Sequence, residues 1–393
     1  MVCRLVIPVT MTSLIFVRPT TTRLLMNSLF EFTTTAALRW TIGLAVAVGL
    51  SACASRPGTE TLVVRQEPSK PYQAITVITA TDRQRDPTGV GYTAARSSRL
   101  QFERFTVAVP VTHKSPGEAR SQIQTDPLKK YTVMGRQDIH FKDINADKDI
   151  LIYVHGYNYS FQESLFQAAK VASDGKLSEM PILFSWPSEG SVTGYVADKD
   201  AATYARDDLV QLLQDLKKRR TKSRVTLFGH SMGAWLVVEG LRQLKISGQE
   251  DVLQRIDQVV LAAPDIDVDL FKRQVDTIGP LARPMIVLSS TDDRALVISS
   301  RMGGSRTRIG SLDAADASVQ KMIAGDIVKI VDLSALPAPD RTNHNRFIEL
   351  INALAGSEIG RSTSLMGSLN KGIGLPVGEQ LEKALERTPI LLP

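Results

Sequence analysis

Two cysteines are all that this 393-residue chain contains, and both, Cys3 and Cys53, precede residue 54. No disulfide framework or cysteine-based metal site can therefore form in the main body, whose core has to be held by packing. Aromatic residues make up only 6%, and the basic residues are not gathered into a stripe with aromatics between them, so nucleic-acid binding has no footprint. An uninterrupted run of about 20 apolar residues is also missing, which argues against a membrane-spanning helix. Histidine and cysteine pairs at metal-ligand spacing are absent, as is a glycine-rich phosphate loop. Neither a metal nor a cofactor is expected.

What is present begins with a leader. Arg39 supplies positive charge, residues 41–50 are apolar, and small residues follow, which together read as a secretory signal. Leu50, Ser51, Ala52 and Cys53 resemble the lipobox of bacterial lipoproteins, in which the cysteine becomes the lipidated first residue after cleavage. That resemblance implies anchoring through Cys53 at the bacterial cell envelope, on the outer membrane facing the periplasm. A plain secretory signal, in which Cys53 has no role, is the alternative. The stretch before Met26 is interrupted by Arg18, Pro19 and Arg23, so translation is expected to begin at Met26. Loss of residues 1–53 removes four arginines and one glutamate and lowers the net charge from +6 to +3. The basic cluster from Leu216 to Arg224 closes an amphipathic helix, where cations suit the helix dipole and meet solvent.

Residues 54–72 are polar and proline-bearing and read as a tether; 73–352 read as the folded domain. Within it, 73–145 carry alternating β-branched stretches joined by loops, with an irregular turn-rich segment from Asp82 to Ser98. Over 146–352, six short apolar runs alternate with helical-period segments: ILIYVHG, PILFSWP, VTLFGHS, VVLAAPD, PMIVLSS and IVKIVDL. Near-continuous apolarity marks strands covered on both faces. The expected fold is α/β, a mostly parallel doubly wound sheet with helices on both faces and its chemistry at the carboxyl ends of the strands. Residues 353–393 read as a flexible, glycine-rich tail.

Gly229, His230, Ser231, Met232 and Gly233 match G-x-S-x-G where an apolar strand passes into a helix, the context in which a strained turn exposes a serine hydroxyl. An alcohol needs an imidazole to take its proton and a carboxylate to orient that imidazole. Of five histidines, His113 and His140 precede the sheet, His155 ends its first central strand and fits a structural role, and His230 adjoins the serine and is expected to point away. His344, after the last strand, remains. Asp293 is the expected acid, with Asp292 capping the helix that begins near Ala295; Asp292 and Asp265 are the alternatives. The oxyanion donors are expected to be the backbone amides of Met232 and Tyr157.

The blocks ATDR at Ala80, VAVPVTHKSPGE, VHGYNYSFQES, LFSWPSEG, GHSMG, LAAPDID and STDDRAL, in that order across residues 74–350, resemble the α/β-hydrolase superfamily, and within it a bacterial, lipoprotein-type branch of unknown function that is esterase- or lipase-like. The resemblance implies the α/β-hydrolase fold, Ser231 as nucleophile and His344 as base. Its D-x-A-L pattern fits Asp293 to Leu296, and Trp186 would stand near an acyl pocket, with buried packing as the competing account. The implied activity is cleavage of a carboxylic ester or thioester in a small acyl substrate, lipids included. Acyl transfer by the same residues is one alternative; a non-catalytic envelope lipoprotein that keeps the scaffold is another.

Overall fold

The computed structural model describes residues 56–111, 131–145, 147–219, 223–314 and 327–356. The expected tail from 353 is corrected at its start, since residues 353–356 end a helix over Phe347–Gly356; the rest of it, with the expected leader and lipobox, lies outside the described residues. All six apolar runs form strands: β4 (Ile150–Val154), β5 (Met180–Ser185), β6 (Val225–His230), β7 (Ile256–Ala262), β8 (Met285–Ser289) and β9 (Val328–Asp332). Three longer strands precede them, β1 (Tyr72–Arg85), β2 (Tyr92–Pro110) and β3 (Thr132–Ile139). The nine strands lie in the order β3-β2-β1-β5-β4-β6-β7-β8-β9. β1 to β3 pair antiparallel, and every pairing from β1·β5 to β8·β9 is parallel.

Two readings of the N-terminal region are corrected. The segment from Asp82 to Ser98 is largely strand, because β1 and β2 form one long hairpin whose register shifts near Thr81, Arg83 and Arg85; such bulges absorb the turn-rich residues without ending the ladder. The stretch taken as a tether is folded from Arg56 onward. A short 3-10 turn over Thr59–Leu62 buries Leu62 in the core, Pro57 O accepts from Gln162 Nε2 at 2.7 Å, and Arg65 N donates to Val133 O. A single leucine gives no periodicity, so its burial leaves no local pattern to read.

The helices are α1 (Phe161–Asp174), α2 (Tyr195–Lys218), α3 (Met232–Ile246), α4 (Glu250–Leu253), α5 (Val268–Ile278), α6 (Arg294–Met302) and α7 (Phe347–Gly356). They divide between two buried clusters because strand side chains alternate. Ile150, Ile152 and Val154 of β4 join α2, α3 and α5 on one face, while Leu151 and Tyr153 join α1, α7 and Leu62 on the other. α1 leaves β4 toward one face and α3 leaves β6 toward the opposite one. The strand order reverses here, since β4 lies between β5 and β6, and in open α/β sheets ligands bind at the carboxyl ends of the strands at such a reversal.

Candidate active site

Ser231 occupies the bend between β6 and α3 with φ 54° and ψ −121°, a conformation that residues other than glycine rarely hold and that costs on the order of 1–3 kcal/mol. Neighbouring contacts impose it. Ser231 N donates to Ala262 O at 2.9 Å, and Ser231 O accepts from Ala234 N at 3.0 Å. A Cβ on Gly229 would lie 2.6 Å from Ala234 Cα, and one on Gly233 would lie 2.3 Å from His155 O. Only glycine allows the elbow to close this tightly. The serine precedes the first helical residue, yet its hydroxyl makes no capping bond to α3, so the side chain is not used as a helix start.

The loop after β4 meets this elbow. A Cβ on Gly156 would stand 2.9 Å from Ser231 Cβ, and Tyr157 follows directly. Its neighbours are tied down on every side. Gly156 O faces His155 Nδ1 at 2.8 Å, Asn158 N donates to Asp198 Oδ2 at 3.1 Å, Tyr159 N donates to Ser188 Oγ at 3.2 Å, and Arg83 Nη2 donates to Tyr159 O at 2.8 Å. The backbone amides of Tyr157 and Met232 donate to no protein acceptor among the described residues.

His155 is buried, and burial, reinforced by the Arg83 charge, pulls its pKa down to about 3. It is therefore a neutral, structural imidazole. Its ring stacks on Trp186 with centroids 4.8 Å apart, and Trp186 Nε1 donates to His155 O at 2.8 Å. Trp186 is 0% exposed, so buried packing and these bonds to His155 occupy it, and no surface of the indole is open to an acyl chain.

His344 lies in the loop before α7. Its Nδ1 is 2.6 Å from Asp293 Oδ2, and Asp293 is 0% exposed. Burial lowers the His344 pKa, but the Asp293 charge and hydrogen bond, with the charges of Asp340 and Asp265, outweigh it and leave a net rise above 6.5. The other two acids are engaged elsewhere. Asp292 pairs with Arg346 and accepts from Asn343 Nδ2 at 2.9 Å. Asp265 accepts from Tyr195 Oη at 2.8 Å and Ser299 Oγ at 2.7 Å and pairs with Arg308 at 3.2 Å. The division of labour expected at 292 and 293 is corrected in one respect: Asp293 itself caps α6, accepting from Leu296 N at 3.0 Å, because its two oxygens serve different partners.

His230 does not turn away from the site. Its ring lies 4.9 Å from that of His344 and 4.9 Å from Phe347. Burial, then the His344 charge, holds its pKa well below 6.5, so it gives the His344 ring an uncharged floor.

Asp340 is a site residue that pattern reasoning missed. Its Oδ1 accepts from His344 N at 3.2 Å and Thr342 N at 2.7 Å, and its Oδ2 from Asn345 N at 2.8 Å. It thereby fixes the backbone that carries the imidazole. The cue was the run DRTNHN, in which an aspartate leads a turn of small polar residues. Among the described residues, no group of three or more His, Cys, Asp or Glu side chains is placed to hold a metal ion. A neutral imidazole oriented by a buried carboxylate can accept a proton from an alcohol or water, and two undirected amides beside Ser231 can receive a developing negative charge.

A model of the family described as alpha/beta hydrolase of unknown function (DUF900) matches residues 136–358, more than half of the chain. An uncharacterized protein of Nostoc sp. (strain PCC 7120) is 27% identical over 124 residues, covering 25% of this chain and 32% of that one; the match thus spans about a third of the relative's length. Among solved structures, the chain is similar to ESTFA in its iron-lacking apo form, at 12% identity and a TM-score of 0.33, over 87% of this chain and 96% of that one. It is also similar to an ester hydrolase from the metagenome of Lake Arreo, at 13% identity and a TM-score of 0.32, over 85% of this chain and 98% of that one.

Proposed function

The chain belongs to the family of alpha/beta hydrolases of unknown function, and from that premise we propose that it is a serine hydrolase that cleaves a carboxylic ester or thioester through an acyl-enzyme. In this reading Ser231 Oγ attacks the acyl carbonyl carbon while His344 Nε2 takes the hydroxyl proton. The imidazolium is balanced by Asp293, and the tetrahedral oxyanion receives the amides of Met232 and Tyr157. Collapse breaks the bond to the leaving alcohol or thiol, which departs with the proton from His344. Water then repeats the cycle against the acyl-serine, releasing the acid and restoring the serine.

The observation that carries this reading is the 2.6 Å contact between Asp293 and His344, made by residues from two separate loops at the carboxyl end of the sheet. Support also comes from the left-handed backbone of Ser231, whose strain is maintained by backbone packing and has no structural return in capping. A fluorophosphonate probe applied to the purified protein should label Ser231 and be lost in Ser231→Ala. Undiminished labelling of that variant would overturn the assignment.

We further propose that the mature protein is lipid-anchored through Cys53, which bears on substrate choice. Cys53 precedes Arg56, the first described residue, by three positions, at most about 11 Å of chain. An anchor there would keep the domain at the bilayer surface, where acyl lipids are the concentrated ester. Cys53→Ser should move the protein from the membrane to the soluble fraction of fractionated cells and abolish incorporation of a labelled fatty acid.

A further inference from the structure

Arg56 lies outside the stretch that matches the family model, and nothing in the proposed chemistry calls on it. It nevertheless makes five hydrogen bonds to three separate segments around Tyr157. Nε donates to Glu163 Oε1 at 2.7 Å and Nη2 to Glu163 Oε2 at 2.5 Å, the paired geometry of a guanidinium on a carboxylate. The remaining donors turn inward: Nη1 to Asn158 Oδ1 at 2.7 Å, Nη2 to Asn158 O at 2.5 Å, and Nη1 to Gly190 O at 2.5 Å.

Each partner bears on the oxyanion loop. Asn158, the residue after Tyr157, sits at φ 63°, a left-handed turn position that asparagine tolerates better than most residues. Glu163 anchors the start of α1, accepting from Ser160 N at 2.9 Å. Gly190 belongs to the loop after β5, which Asp198 holds through Glu189 N at 2.6 Å. Asp198 holds Asn158 at its amide and Arg56 holds it at its carbonyl, so the two peptides that flank Asn158 are each tied to a side chain. An ordinary surface ion pair contributes about 0–1 kcal/mol; here the Arg56 side chain is 41% exposed but that of Glu163 only 9%, and two further bonds end on the backbone oxygens of Asn158 and Gly190.

Building on the serine-hydrolase reading, we propose that Arg56 is a positioning residue for the oxyanion hole, locking the loop from Tyr157 to Ser160 so that the Tyr157 amide is aimed before substrate arrives. Lysine could supply the charge but not the fork that reaches three segments at once. Because loss of an oxyanion donor lowers turnover by roughly 10² to 10³, a loosened donor should lower it by about 10 to 100-fold.

The test uses the full-length protein and Arg56→Gln, Arg56→Lys and Arg65→Gln, with p-nitrophenyl butyrate as substrate and a trifluoromethyl ketone as tetrahedral-adduct inhibitor. Active sites are counted by fluorophosphonate titration, so that unfolded protein does not enter kcat. Arg56→Gln should lower kcat by about 10 to 100-fold with KM within twofold, and weaken the ketone by the same factor; Arg56→Lys should fall between it and the unaltered protein. Arg65→Gln, in the same segment with its side chain directed to Glu60 O, should change neither. If kcat per titrated site and ketone affinity of Arg56→Gln stay within twofold, or if only KM or thermal stability moves, the role assigned to Arg56 is wrong while the serine-hydrolase reading stands. An unaltered protein that neither reacts with the fluorophosphonate nor turns over the ester removes both.

Discussion

Asp293 divides its carboxylate between two tasks: Oδ2 meets His344 Nδ1 at 2.6 Å, and Oδ1 caps α6 through Leu296 N at 3.0 Å. Substitutions can separate them. Asparagine keeps a capping oxygen but removes the charge and can present an N–H to Nδ1, which favours the wrong imidazole tautomer. Asp293→Asn should therefore lower kcat/KM by about 10³ to 10⁴ with little change in a urea denaturation midpoint. Asp293→Ala should lose the same activity and, with the cap gone, about 1 kcal/mol of stability besides. Equal stability of the two variants would show that the cap contributes nothing.

The charge around His344 sets the direction of a pH profile. Although burial opposes it, Asp293, Asp340 and Asp265 together raise the pKa of His344, and a general base acts only when neutral. The kcat/KM for p-nitrophenyl butyrate should rise with pH through an inflection above 6.5. Asp340→Asn removes one of the raising charges and should shift that inflection toward acid. Folding stability follows the opposite course: the stabilisation from a raised histidine pKa is complete below 6.5 and is lost as pH climbs through the folded-state value. A profile flat from pH 6 to 9 would exclude His344 as the base.

The difference between what could be read from the chain and what could not is a difference of range. Strands β4 to β8 declared themselves because burial on both faces leaves mostly apolar residues, β9 through a shorter apolar run at the sheet edge, and the Gly229 to Gly233 elbow because two backbone collisions allow glycine alone. The pairing of residues 293 and 344 rested on elimination among five histidines and on family likeness, since nothing local records which loop returns over the strand ends. Arg56 and Asp340 were missed for another reason. Their importance lies in hydrogen bonds to backbone atoms of distant or turn residues, which impose no side-chain pattern on the partner. Leu62 was lost the same way, one buried residue inside polar surroundings.

The elbow predicts a sharp asymmetry among glycines. A methyl group on Gly233 would collide with the carbonyl oxygens of His155 and Val154 at 2.3 and 2.4 Å, backbone that cannot yield without parting β4 from α3. Gly233→Ala should destabilise the protein by about 2 kcal/mol or more and depress activity of whatever remains folded. Gly135→Ala, where the nearest atoms belong to the Thr106 side chain at 3.4 Å, should be nearly neutral. Urea denaturation of the pair checks both, and a Gly233→Ala variant as stable as Gly135→Ala would contradict the close approach.

A buried carboxyl on β1 makes the last prediction. Asp82, on β1, is 0% exposed, and no other described residue hydrogen-bonds its carboxyl oxygens. Burial, followed by the charge of Asp208, pushes its pKa up to about 7, against the pull of its own amide, Arg83 and Arg96. A raised carboxyl pKa means that the folded state binds the proton more tightly than the unfolded chain. Stability therefore falls as pH rises from about 4 to about 7 and levels off beyond. Three units correspond to roughly 4 kcal/mol at most, a large share of the stability of an ordinary domain. Asp82→Asn, uncharged at every pH, should flatten this slope and stabilise the protein at pH 8 relative to the parent while leaving the two close at pH 4. Urea denaturation at the two pH values gives the answer, because parallel slopes in parent and variant would mean that Asp82 is already ionised and solvated near pH 4.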